Sequence, residues 1–426
     1  MKLCEMTKEE LVAFKNEVKK EYEAFKSRGL SLDMSRGKPA ANQLDTAMGL
    51  LDAVNSTSCL SDGNGVDCRN YGGLDGIGEA KKLFSQMIGV SEKEVIVAGN
   101  SSLNLMYDTI MKNMFFGVNE EATPWGKQGN LKWLCPCPGY DRHFAITEGF
   151  GIEMINIPMN SDGPDMDMIE KLVSEDASIK GIWCVPMYSN PTGITFSDEV
   201  VKRFASLQPK ASDFRIFWDN AYCVHHLSDD RDYLLPILEE AKKHGNEDMI
   251  YIFGSTSKVS FAGAGVAVMG ASEKNIAYYK KLMNIQTIGY DKINMLRHVR
   301  FFKDFEGLEA QMKTLAELIN PKFETVLDAL EKELSPLGIG SWHKPKGGYF
   351  ISFMAPKGCA KRIAQLCKEG GVVLTGAGAT YPYGKDPDDK NLRIAPTYPP
   401  VEELKLAAEL FCISTKLAAV EKLLEE

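Results

Sequence analysis

Residues 249–271 read MIYIFGSTSKVSFAGAGVAVMGA: two short apolar runs on either side of a hydroxyl-rich loop that carries Lys258. Runs of this length and composition read as strands covered on both faces, the kind found in a parallel α/β sheet. A lysine that follows small hydroxyl residues at a strand end is placed to form a Schiff base with a cofactor aldehyde. Serines beside it can donate to a phosphate without crowding it. A lone loop lysine is far more often a solvated charge, so the rest of the chain has to decide.

Working outward, the pattern repeats. Apolar runs at EVIVAG (94–99), LKWLCP (131–136), IEMINIP (152–158), IKGIWCVP (179–186) and FRIFWDN (214–220) each read as a strand. Helix-period segments separate several of them: SLNLMYDTIMKNMFF (102–116), DMIEKLVSE (167–175) and DEVVKRFASLQ (198–208). Strands alternating with helices predict an α/β domain with a mainly parallel sheet. From 272 to about 333 the pattern becomes helical. A smaller α/β section follows, with GGYFISFMA (347–355), CAKRIAQLCKEGG (359–371), GVVLTGA (371–377), NLRIAPT (391–397) and a long final helix. The first fifty residues hold no strand run able to stand alone and are expected to pack on that section. The expected division is a large domain over 50–320 and a small one from 1–49 and 321–426. The segments NEEATPWGKQGN (119–130) and TYPYGKDPDDKN (380–391) read as exposed, turn-rich loops.

The composition excludes several classes. A chain of 426 residues with 44% apolar and 25% charged residues is neither disordered nor short of core. A net charge of −9 argues against bulk nucleic-acid or anionic-membrane binding, yet leaves room for a small anionic substrate held by a few local arginines. No apolar run reaches the roughly 18 residues of a membrane span. The ten cysteines are scattered, and the closest pair, Cys135 and Cys137, has no second pair or nearby histidine to complete a metal set, so no metal is expected. Reduced thiols and a charged, amphipathic N-terminus without a secretory core place the protein in the cytoplasm.

Three further segments carry chemistry. The strand FRIFWDN ends in Asp219, and Tyr222 follows at a spacing of three. Strand ends are where an open α/β sheet presents its ligand contacts, so a carboxylate there can pair with a protonated pyridine nitrogen and the phenol with a ring hydroxyl. A turn-capping Asp and a packed Tyr are the plainer alternative. Asn190-Pro191-Thr192-Gly193 follows another buried strand and presents an amide at the same edge. In VIVAGNSSLNLM, Gly99 permits a tight turn, and Ser101 and Ser102 sit where a helix begins with free N–H groups, an anion site suited to a phosphate. A plain serine cap accounts for one of these serines only.

Taken in order, GNSS, NPTG, D-x-x-Y and S-x-S-K resemble the class I/II aminotransferases of the fold-type I pyridoxal-phosphate (PLP) enzymes. The likeness is greatest to the aspartate aminotransferase branch called subgroup Ic. It extends to Ser35-Arg36-Gly37-Lys38-Pro39, to Tyr71, to Pro138-Gly139-Tyr140 and to Leu392-Arg393-Ile394, so it takes in nearly the whole chain. The resemblance implies a large domain with a mainly parallel mixed sheet covered by helices, and a smaller α/β domain from both termini. It implies that Lys258 is the Schiff-base lysine, that Asp219 partners the pyridine nitrogen, and that Tyr222 and Asn190 contact the ring hydroxyl. Ser101, Ser102, Ser255 and Ser257 fall where the family binds the cofactor phosphate, and Tyr140 where a ring stacks on the cofactor. Tyr71 matches a tyrosine that reaches the neighbouring subunit's phosphate, which implies a homodimer with shared active sites. Arg393 matches the arginine that grips the substrate α-carboxylate, and Gly37 lies in the loop that closes over it. One departure stands out: the family's phosphate-binding arginine is replaced by Gly265 or Val266.

Two rival enzyme classes fit parts of the pattern. The glycines at 263, 265, 376 and 378 suggest a nicotinamide oxidoreductase, but that fingerprint needs a helix directly after its glycines, and VAVMGA reads as a strand. A PLP-dependent lyase or decarboxylase shares the same cofactor site; Arg393 argues for a retained α-carboxylate and against decarboxylation. The reading is therefore an aminotransferase acting on L-aspartate and 2-oxoglutarate, with Lys258 moving the proton from Cα, first as base and then as acid. Arg36, beside Gly37, is the candidate for the substrate's second carboxylate, with a structural ion pair as its alternative.

Overall fold

The computed structural model describes residues 2–425. Its strands in chain order are Leu32–Asp33 (β1), Val95–Val97 (β2), Lys132–Cys137 (β3), Glu153–Asn160 (β4), Gly163–Pro164 (β5), Ile179–Cys184 (β6) and Arg215–Asp219 (β7). They continue with Ile250–Ser255 (β8), Ala267–Ala271 (β9), Ser341–Trp342 (β10), Ile351–Met354 (β11), Val372–Val373 (β12) and Asn391–Ile394 (β13). Eight of them form one sheet in the order β2-β9-β8-β7-β6-β3-β4-β5. The four central pairings, β4 with β3, β3 with β6, β6 with β7 and β7 with β8, are parallel, while β9 runs antiparallel to both β8 and β2. This is the mixed, mainly parallel sheet expected from buried apolar runs, and β3, β6, β7, β8 and β9 are buried almost throughout. The geometry has one functional consequence. The carboxyl ends of β2, β3, β6, β7 and β8 all open onto the same edge.

A second layer of structure lies outside that sheet. β10, β11 and β13 form an antiparallel sheet, and β1 pairs in parallel with β12 through Leu32 opposite Val372. The helix Lys8–Lys26 starts at Thr7, which exchanges capping bonds with Glu10, and buries Leu11, Val18, Tyr22 and Phe25. It packs on the final helix, Val401–Glu425, and the Tyr22 hydroxyl donates to the Leu366 carbonyl at 2.9 Å. The N-terminal segment thus builds onto the C-terminal one. Helix Phe305–Glu333 also packs on the final helix and runs unbroken through residue 320, with Pro321 inside it.

Local expectations needed correction in three places. The run GVVLTGA forms only a two-residue strand, because Thr375 turns away to donate to the Ser35 carbonyl at 3.2 Å. The segment 119–130 is not wholly an exposed loop: Trp125 is fully buried, edge-on to Trp133 at 5.8 Å. In the other loop, Tyr383 reaches back so that the Met154 N–H donates to its hydroxyl at 2.9 Å. Among the described residues no helix is long and apolar enough to cross a membrane, and no cluster of three metal-ligating side chains occurs.

Candidate active site

β8 ends at Ser255, which puts Lys258 just beyond the carboxyl edge of the sheet. Its Nζ lies 4.9 Å from the centroid of the Tyr222 ring and 5.5 Å from that of Tyr349. Burial depresses the lysine pKa; the charge on Asp219 opposes that shift and the charge on Arg393 adds to it. An amine that loses its proton easily is what a nucleophile or general base requires.

Asp219 closes β7 and stands opposite Phe253 of β8. Its Oδ2 accepts a 2.9 Å bond from His143 Nε2, and both side chains are almost fully buried. The carboxylate accepts, so Nε2 carries the proton. His143 comes from helix Asp141–Gly149 and stacks on Trp183, with centroids 4.3 Å apart and planes 9° apart. Trp183 is itself fixed by donating to Thr147 Oγ1 at 2.8 Å. The other oxygen, Asp219 Oδ1, is buried without a hydrogen-bond partner in the protein. An unpaired carboxylate oxygen in a dry setting is expensive, and one N–H⁺ group would satisfy it. This is the fit expected for a protonated pyridine nitrogen.

Arg393, on β13, points into the same space. Its Nη1 donates to Asp141 Oδ1 at 3.0 Å and to Asn190 Oδ1 at 3.3 Å, and Nη2 reaches Thr375 Oγ1 at 3.4 Å. Its guanidinium lies 4.7 Å over the Phe350 ring, and its Nε is buried without a partner. Gly37 rests against the far end of this stack: a Cβ there would collide with the Phe350 ring. The loop holding Ser35 and Gly37 therefore meets Arg393 through both Thr375 and Phe350.

The phosphate side is built from β2 and β8. Gly99, with φ of +63°, makes the turn after β2, and the helix Ser102–Phe116 begins with Ser101 as its N-cap. The Ser101 side chain makes no capping bond, so its hydroxyl and the first N–H groups of the helix remain to receive an anion. Ser255 Oγ donates to Ser257 Oγ at 3.0 Å. At the place of the family's arginine, Val266 is buried and locked to Thr256 by two 2.8 Å bonds, one from each backbone N–H. Asn294 donates to the Ala264 and Gly265 carbonyls beside it, and Arg297 donates to the Asn294 side chain. Beneath the loop, His298 Nδ1 donates to the Asn294 carbonyl and its Nε2 accepts from Ser260, both at 2.8 Å. Burial lowers the His298 pKa to about 4, so the ring is neutral.

Tyr222 and Tyr140 feel the charges of both Asp219 and Arg393; burial raises the Tyr222 pKa strongly and that of Tyr140 to about 12. Lys258, Asp219, Tyr222, Asn190, Tyr140 and Arg393 are thus gathered at one place. No hydrogen bond or ring contact among the described residues joins Arg36 or Tyr71 to them. Arg36 is largely exposed and paired with Asp33 at 2.7 Å, the structural ion pair foreseen as its alternative. Tyr71 is 80% exposed, and no hydrogen bond or ring contact joins its side chain to the described site residues of its own chain. The sequence reading passed over His143, Asp141, Thr375 and Tyr349. Asp141 and His143 directly follow Pro138-Gly139-Tyr140, which was the available signal.

Comparison with known proteins identifies the family. The family described as "Aspartate amino-transferase" matches residues 6–426. An aspartate aminotransferase of Corynebacterium glutamicum is 45% identical over 413 residues, 97% of this chain and 95% of that protein. A Mycolicibacterium smegmatis protein named as an aminotransferase is 44% identical over 425 residues, 100% of this chain and 99% of its own. The crystal structure of an aspartate transaminase from C. glutamicum superposes with a TM-score of 0.97 at 44% identity, covering 99% of both chains. The α-aminoadipate aminotransferase LysN of Thermus thermophilus, complexed with N-(5'-phosphopyridoxyl)-L-leucine, shares the fold at 19% identity, with a TM-score of 0.72 over 93% of this chain and 95% of that one. This chain is an aminotransferase of fold type I and belongs to the aspartate aminotransferase family.

Proposed function

We propose that this aminotransferase uses pyridoxal 5'-phosphate carried on Lys258 and moves the amino group of L-aspartate to 2-oxoglutarate. The observation that carries the cofactor assignment is Asp219: one oxygen is fixed by His143, and the other is buried, unpaired and beside a desolvated lysine. The cofactor, when bound, supplies the electron sink for the pair left on Cα. Every other task falls to the chain. Arg393 grips the substrate α-carboxylate with a planar fork. Lys258 takes the proton from Cα and returns it one position away. Asp219 keeps the ring nitrogen protonated, Asn190 and Tyr222 bond the ring hydroxyl, and Tyr140 covers the ring. Ser101, Ser102, Ser255, Ser257 and the helix N-terminus hold the phosphate.

The aspartate assignment is supported by the C. glutamicum relatives. Arg36 is proposed to read the distal carboxylate: its pair with Asp33 is exposed and worth at most about 1 kcal/mol, so exchanging that partner costs little. We further propose a homodimer of two-domain subunits (50–320; 1–49 with 321–426) in which Tyr71 completes the partner's phosphate site. The exposure of Tyr71, Phe115, Ile285 and Ile288 supports this. Ten cysteines scattered along the sequence, seven of them buried, support a cytoplasmic setting. The test is a coupled assay on the purified holoenzyme. Oxaloacetate should form from L-aspartate and 2-oxoglutarate faster than pyruvate forms from L-alanine. Borohydride reduction and peptide mapping should place the cofactor on Lys258. A faster alanine reaction rejects the substrate, and a label elsewhere rejects the lysine.

A further inference from the structure

Two aromatic rings from different parts of the chain face the amine of Lys258 from one side. Tyr222 follows β7, while Tyr349 precedes β11 in the second, smaller sheet. The rings are near-parallel, 26° apart with centroids separated by 6.2 Å, and both lie within the roughly 6 Å over which a ring face attracts a cation. Tyr349 is only 1% exposed, and its position is fixed from behind. Its hydroxyl donates to Gln43 Oε1 at 3.3 Å, and Gln43 Nε2 donates to the Thr397 carbonyl at 2.8 Å. Lys322 donates to that same carbonyl at 2.8 Å. His225 stands edge-on to both rings, at 5.5 Å from Tyr222 and 5.9 Å from Tyr349.

We infer that Tyr349 is a positioning residue for Lys258: beside Tyr222 it extends the aromatic wall that faces the amine, and Gln43 holds its ring in place. The inference rests on the reading of Lys258 as the reacting amine. In turnover that amine is released and must stay within reach of the substrate Cα rather than swing towards Asp219. A wall of two rings limits its swing on that side without forming a hydrogen bond that would have to be broken at each step. The charged and titratable groups around it are Asp219, Arg393, His225 and the two tyrosines. Of these, Arg393 and Tyr349 are brought in by the smaller sheet, and of those two Tyr349 is the one whose ring faces the amine.

The test uses the apoenzyme, whose Lys258 titration is followed by competitive acetylation across pH with peptide mapping. Tyr349→Phe keeps the ring and should leave the midpoint unchanged. Tyr349→Met has similar bulk and no ring; its midpoint should fall by about 0.4–1.5 units, the loss of one cation–π contact. Should the Met variant not fold, a ring-fluorinated phenylalanine at 349 keeps the shape, weakens the ring's negative face, and should lower the midpoint in the same direction. An unchanged midpoint in the folded ring-removing or ring-fluorinated variant overturns the inference. The titration does not depend on turnover. A failed aspartate assay therefore rejects the proposed substrate, and a shifted cofactor label rejects Lys258; neither alters the midpoint comparison.

Discussion

Replacing Arg393 with lysine keeps a positive charge at the mouth of the site and removes its planar fork. In the wild type, Nη1 is shared between Asp141 and Asn190, Nη2 makes only a long contact with Thr375, and Nε has no partner. The side of the fork formed by Nη2 and Nε is thus the side available to a substrate carboxylate, as two parallel charge-assisted bonds. A lysine, one ammonium on a flexible stem, can supply one of the two and no fixed direction. Losing one charge-assisted bond costs about 1.5–3 kcal/mol, or roughly a 10- to 150-fold loss in kcat/KM. Because every amino acid carries the α-carboxylate, aspartate, glutamate and alanine should fall together, with their ratios held. The assay is steady-state transamination with each donor, coupled to reduction of the oxo-acid product, with thermal melting to establish that the variant is folded. A loss below about threefold, or one confined to the dicarboxylic donors, would refute the assignment of Arg393 to the α-carboxylate.

Asp219→Asn should retain the fold and lose at least about 100-fold in turnover, since a neutral amide does not hold the ring nitrogen protonated; His143→Phe, which removes one bond to that carboxylate, should lose about 10- to 100-fold. Arg36→Ala should weaken aspartate and glutamate more than alanine in competition assays, whereas equal losses would leave it as Asp33's partner only. Asp141→Asn should lower KM for all donors up to about fivefold at constant kcat, because a half-exposed carboxylate worth up to about 1 kcal/mol no longer competes for Arg393; a raised KM would make Asp141 an aid to binding. Burial lowers His298 to about 4, below the ordinary value near 6.5, so its neutral form is favoured in the fold. Its contribution is complete above about pH 6.5 and is lost as pH falls towards 4. Urea unfolding from pH 8 to 4.5 should show that decline, and His298→Gln should make it shallower by one proton.

What the sequence revealed was local. β6, β7 and β8 are short, largely apolar runs, and their ends carry Asn190, Asp219 and Lys258 within a few residues, so the parallel sheet itself brings them to one edge. Contacts between distant segments had no such signal. His143 meets Asp219 across 76 residues, and Tyr349 meets Gln43 across 306. Each is an ordinary buried residue until its partner is known. Strands of two residues, such as β1 and β12, are too short to leave a periodicity. Trp125 was hidden by turn-rich neighbours, since Gly and Pro around it mark a loop whichever way the one large side chain points.

The union of the two chain ends bears on synthesis. When the helix Lys8–Lys26 leaves the ribosome, the surface it will cover has not been made. β12 and the final helix follow about 350 to 400 residues later, an interval of roughly 20 to 80 seconds at ordinary translation rates. Through that interval Leu11, Val18, Tyr22 and Phe25 form an uncovered apolar stripe on the nascent chain. Gln43 likewise waits for Tyr349 and Thr397. The amphipathic first helix therefore offers a chaperone an apolar stripe throughout that interval, and a chain cut short before residue 372 would hold every strand of the central sheet and leave that helix uncovered.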